Sequence, residues 1–97
     1  MENQAAIGMQ NLITRKEEFM FTQVDDDKVM LDLNSSRYLG LNAVASVMWD
    51  LLEQPQTPAD LCAALLKRYE VDAETCQRET LTALERMRGF GMIQVSG

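Results

Sequence analysis

Apolar and polar residues alternate along Val29-Met30-Leu31-Asp32-Leu33, and after a polar interval the apolar positions resume at Tyr38, Leu39 and Leu41. The pattern predicts two short antiparallel strands, Lys28–Leu33 and Arg37–Leu41, with Val29, Leu31 and Leu33 on the apolar face. Asn34-Ser35-Ser36 forms the turn, since each side chain can hydrogen-bond nearby backbone and so stabilise a sharp reversal. At Asn42, a good N-cap, the period changes from two to helical spacing, so the hairpin leads directly into a helix.

Upstream, Phe19, Phe21 and Val24 predict a first strand over Glu18–Val24, joined to the second by the turn Asp25-Asp26-Asp27. Three strands in succession make a small antiparallel meander, one face of which has to pack on helices. Residues 1–16 carry Ile7, Met9, Leu12 and Ile13 without a sustained period and read as a flexible lead-in to a domain over 17–97.

Downstream, three helices are expected. The first runs from Ala43 to about Glu53, with Val44, Val47, Met48, Leu51 and Leu52 on one face and Trp49 at a partly buried edge. Thr57-Pro58-Ala59-Asp60 starts the second: Thr57 caps it, Pro58 takes the first helical position and Asp60 sits near the positive end of the dipole. Leu61, Ala64, Leu65 and Tyr69 form its buried stripe, to an end near Glu70. Asp72 caps the third helix, which places Cys76, Thr80, Ala83, Leu84 and Met87 on one face, with Leu81 and Arg88 on a flank. Gly89 and Gly91 suit a left-handed exit, and Met92-Ile93-Gln94-Val95 reads as a short final strand or as a cover for the core. The order predicts an α+β domain of winged helix-turn-helix-like type, a three-stranded meander followed by three helices.

Composition removes several functions. A chain of 97 residues with 46% apolar content supports one modest core. Nine basic against fifteen acidic residues give a formal charge of −6, which opposes nucleic-acid binding. No stretch approaches the ~20 apolar residues of a membrane span, so no membrane partner is expected and the location reads as cytoplasmic. Without histidine, no Ser-His-Asp or Cys-His catalytic arrangement can form, and no imidazole is available to a metal. Cys62 and Cys76 lack C-x-x-C spacing and read as buried reduced thiols. The three consecutive aspartates lack the alternation of a calcium loop and read as a solvated turn. Gly89-Phe90-Gly91 follows a helix, where a phosphate loop would precede one. Glu74, Glu79 and Glu85 offset Arg78, Arg86 and Arg88 on the third helix, so a groove-reading helix is disfavoured. No catalysis and no cofactor are expected. Of the methionines, Met48 and Met87 read as core, while Met20 and Met30 fall out of phase with their apolar neighbours.

What remains is an end strand. The third strand of the meander offers unpaired backbone groups to an extended peptide, and with the third helix beside it would form a groove.

The run Leu31-Asp32-Leu33-Asn34-Ser35-Ser36-Arg37-Tyr38-Leu39-Gly40-Leu41-Asn42, the helix with Trp49, then Thr57-Pro58-Ala59-Asp60-Leu61 and Tyr69-Glu70-Val71-Asp72, resembles the PqqD family in order and spacing. The similarity runs from about Glu18 to Val95, and the Asn-Ser-Ser-Arg-Tyr form is closer to members from lasso-peptide clusters than from quinone clusters. The resemblance implies a non-catalytic RiPP recognition element, which binds the leader of a ribosomally made precursor peptide as an added strand. It would present that leader to a transglutaminase-like leader peptidase or, as in PqqD-type chaperones, to a radical SAM enzyme. On this basis Arg37, Tyr38, Leu39, Gly40 and Leu41 are expected to pair with the leader, Gly40 allowing close approach, and Leu81, Leu84, Glu85 and Arg88 to contact its side chains. Thr80 stands where many relatives have a β-branched apolar residue. Two other readings are a small winged-helix transcription regulator and a structural subunit that dimerises through its sheet edge or N-terminal arm.

Overall fold

A computed structural model describes residues 5–16, 19–25 and 27–97. Strand β1 (Leu12–Arg15) is followed by the meander β2 (Phe19–Val24), β3 (Asp27–Asp32) and β4 (Arg37–Leu41). Helices α1 (Ala43–Leu51), α2 (Pro58–Leu66) and α3 (Ala73–Phe90) follow, and β5 (Ile93–Ser96) ends the chain. The expected α+β order of meander then helices is present, in an antiparallel sheet β2-β3-β4. The expected strand start at Glu18 and the central Asp26 of the acidic turn lie outside the described residues.

The lead-in is corrected from Ile7 onward. Ile7 and Ile13 are core residues, and β1 pairs antiparallel with β5, Ile13 opposite Val95. On its other side Ile13 exchanges backbone bonds with Gln56, at 2.8 and 3.1 Å. Ile13 is the one buried residue of β1, and its pairing with β5 makes a second, two-stranded sheet.

The meander also packs in the opposite phase to that expected. Met30 and Lys28 face the core, whereas Leu31 is 37% exposed and Leu33 lies in the turn at 54%. The helix-facing side accommodates lysine because its stem lies along apolar surface while its amine is held at the edge. Nζ pairs with the Asp50 carboxylate of α1 at 3.4 Å, donates to Gln23 Oε1 at 2.9 Å and lies 4.8 Å from the Phe21 ring centroid. Consequently Met20, Leu31 and Tyr38, which are successive cross-strand partners, lie in a row on the outer face.

Helix starts follow the sequence. Asn42 Oδ1 accepts from Ala45 N–H at 2.9 Å. Thr57 and Asp60 form a reciprocal capping box with Pro58 at the first position. Asp72 accepts from Thr75 N–H at 2.6 Å. Helix α3 ends where Gly91 adopts φ 83°, a conformation suited to glycine. Helices α1 and α2 stop at Leu51 and Leu66, short of the expected ends, and Trp49 is fully inside the core. Its carbonyl accepts from Arg15 at 2.8 Å and the Arg15 guanidinium lies over its ring, which ties β1 to α1.

Candidate peptide-binding groove

Among the described residues, strand β4 has β3 on one side only, so half of its backbone groups are left for another strand. Its start is fixed by the preceding turn. The Asp32 carboxylate accepts from Ser35 Oγ at 2.8 Å and Asn34 N–H at 3.0 Å, and these bonds hold its pKa below the usual carboxylate value. Ser36 closes the turn at φ 60°. The end of β4 is fixed by α1, where Ser46 Oγ donates to the Leu41 carbonyl at 3.2 Å. Both ends of the open edge are therefore held by hydrogen bonds made locally in sequence.

Between this edge and α3 lies a groove of about 290 Å³. Leu39, Gly40 and Leu41 form one wall, and Glu79, Thr80, Thr82, Ala83, Arg86 and Met87 of α3 the other. Val44 and Ala45 from α1, with Leu65, Tyr69 and Val71 around the α2–α3 connection, close the far end. At the near end the Arg37 guanidinium lies 4.8 Å from the Phe90 ring centroid, and Phe90 also packs on Phe19. That bridge joins the start of β4 to the C-terminal end of α3, so the wall spacing is set by side chains outside the groove.

Cys76 and Thr80 lie deep along the same wall. Both cysteines are buried and free. Burial, reinforced by the nearby Cys62, pushes the Cys76 thiol pKa up. Neutral thiol and hydroxyl here make a floor that is uncharged, while Glu79 and Arg86 bring opposite charges to the exposed rim.

The expected site residues separate into two groups. Leu39, Gly40 and Leu41 line the groove, Arg37 bridges its end, and Tyr38 points to the outer sheet face at 72% exposure. Leu81, Leu84, Glu85 and Arg88 are not brought to it. Leu84 is in the core, and Glu85 and Arg88 form an ion pair at 2.7 Å that holds the N-terminal arm. Glu85 Oε2 accepts from Ile7 N–H at 2.9 Å, and Arg88 donates to the Ala5 carbonyl at 3.0 Å. The groove side is instead the face on which Thr80 and Ala83 interrupt the large apolar residues. Those small and polar members of a buried stripe were the available signal, because they leave room beside the helix.

Among the described residues, no helix is long and apolar enough to cross a membrane.

Solved structures share this fold. One solved structure, "TbiB1 in Complex with the TbiA(beta) Leader Peptide", superposes with a TM-score of 0.75 at 28% identity, over 84% of this chain and 94% of that one. A second, "Lasso peptide synthetase B1 complexed with the leader peptide", gives 0.71 at 28% identity, over 84% and 96%. No curated protein matches in sequence. The profile of the family described as Coenzyme PQQ synthesis protein D (PqqD) matches residues 27–93, from the start of β3 to the start of β5, and the chain belongs to that family.

Proposed function

We propose that this protein is a RiPP recognition element: it binds the leader of a ribosomally synthesised precursor peptide as a fourth strand beside β4. The observation that carries the reading is an open strand edge facing an apolar-walled groove, in a chain whose structural neighbours are complexes with leader peptides. Backbone pairing supplies affinity whatever the leader's side chains, and the groove selects among them by size and polarity. The bound leader is then offered, in the cytoplasm, to a modifying enzyme. The lasso-peptide neighbours support a transglutaminase-like leader peptidase over a radical S-adenosylmethionine (radical SAM) enzyme. The protein acts by binding and contributes no catalytic group or cofactor of its own.

Amide hydrogen exchange tests this directly, with the leader peptide of a short precursor encoded beside the gene as the probe. Addition of the peptide slows exchange at alternate residues of Arg37–Leu41 and leaves β2, the opposite edge of the same sheet, unchanged. Protection confined to β2, or none at saturating peptide, overturns the proposal. Gly40→Ala is a control: a Cβ there meets nothing within 4 Å and shares the outward phase of Tyr38, so the variant keeps both its fold and its leader affinity.

A further inference from the structure

The second edge of the meander is as open as the first and differs from it in chemistry. Among the described residues, β2 has β3 on one side only and pairs with it in an unbroken antiparallel register, from Phe19 opposite Asp32 to Val24 opposite Asp27. Edge strands of soluble proteins are commonly guarded by a charged residue, a proline, a bulge or a covering element. Phe19-Met20-Phe21-Thr22-Gln23-Val24 holds no charge and no proline, and its register contains no bulge. Beyond Phe19 it is uncovered on both faces: Met20 and Val24 on the outer phase are 57% and 54% exposed, and Phe21 on the inner phase 52%. Charge stands instead at the two ends, where Glu17-Glu18 precede the strand and Asp25-Asp26-Asp27 follow it. The Lys28 amine is held by Asp50 and Gln23, and among the described residues neither Asp25 nor Asp27 is in an ion pair.

We propose that the β2 edge is a second docking surface, for a strand of a partner protein that is apolar along its centre and carries lysine or arginine at both ends. Such a strand satisfies the free backbone groups of β2, its side chains cover Met20 and Phe21, and its basic ends meet the acidic flanks. The same flanks disfavour a second copy of this chain as the occupant. Antiparallel pairing of β2 with itself brings the Glu17-Glu18 end of one copy beside Asp25-Asp26-Asp27 of the other, like charge against like at both ends of the contact, between chains of formal charge −6. Strand β4 lies on the far side of β3, so the leader's edge stays free while β2 is occupied. The inference stands independently of the leader-binding reading.

The probe is a synthetic peptide of alternating valine and threonine with a lysine pair at each end, titrated against the full chain at low salt and followed by amide hydrogen exchange. A matched peptide with a glutamate pair at each end is the comparison. The lysine-flanked peptide slows exchange at alternate residues of Phe19–Val24 and binds about tenfold or more tighter than its counterpart, the sum of several exposed ion pairs, and the gap closes at high salt. In the double variant Asp25→Asn, Asp27→Asn the preference falls to about a third, and the fold is kept because asparagine tolerates the φ of 58° at position 25. Equal affinity for the two peptides overturns the inference, as does protection at Arg37–Leu41 in place of Phe19–Val24, or no protection at saturating peptide. Slow exchange across β2 in the chain alone, with a dimer's mass by light scattering, also overturns it and makes a second copy the occupant.

Discussion

A thiol at the bottom of a groove responds to alkali differently from one in solvent. Because burial raises the Cys76 pKa, the unfolded chain loses this proton at a lower pH than the folded chain does. The stabilisation is complete below the ordinary thiol range, about pH 8.5, and is lost as pH rises toward the folded-state pKa. Urea melts between pH 8 and 10 are expected to show stability falling, with a shallower slope in Cys76→Ala. Asp72 behaves oppositely. Its bonds to the Thr75 hydroxyl and Thr75 N–H lower its pKa, so its contribution is present above the ordinary carboxylate range and disappears as pH falls through the lowered value. Asn42 is neutral and adds a cap independent of pH: Asn42→Ala is expected to lower stability by about 1 kcal/mol at any pH in this range, read from denaturant midpoints.

At the level of elements, patterns made within a few residues of each other were legible. The caps at Asn42, Thr57 and Asp72 and the glycine exit at Gly91 occur where the sequence places them. Which face of an element meets which neighbour was not. In β3 both phases carry apolar residues, and the buried one includes a lysine, whose charge an alternation pattern counts as solvent-facing although Asp50 and Gln23 hold it. Met30→Ala is thus expected to cost about 2–5 kcal/mol, and Leu31→Ala clearly less, in equilibrium unfolding. Helix α3 posed the same ambiguity with a period of 3.6, since each flank of its buried stripe carries an apolar residue and an arginine, Leu81 with Arg88 on one and Ala83 with Arg86 on the other. Leu81 faces away from the groove, so Leu81→Ala leaves leader affinity within about twofold once folding is allowed for. Ala83 lies in the groove wall, and Ala83→Phe fills space that the leader needs. A loss of tenfold or more is expected there, about 1.4 kcal/mol, measured by titration with labelled leader.

Across the whole molecule, the least legible feature was the pairing of β1 with β5. It joins segments about eighty positions apart, and no local window on the sequence contains both. Four residues with one buried isoleucine carry too little pattern to announce a strand, and only the fold supplies a partner for them. Deleting residues 93–97 should leave the Ile13 backbone and side chain exposed on that flank. The truncated chain is expected to lose cooperative unfolding, followed by circular dichroism against temperature. The same pairing also bears on timing. During synthesis the three meander strands and all three helices emerge before β5, yet the core around Ile13 has no cover until residues 93–96 are free of the ribosome. Closure of β1 onto β5 is therefore the last step, and the core around Ile13 stays incomplete until that step is made.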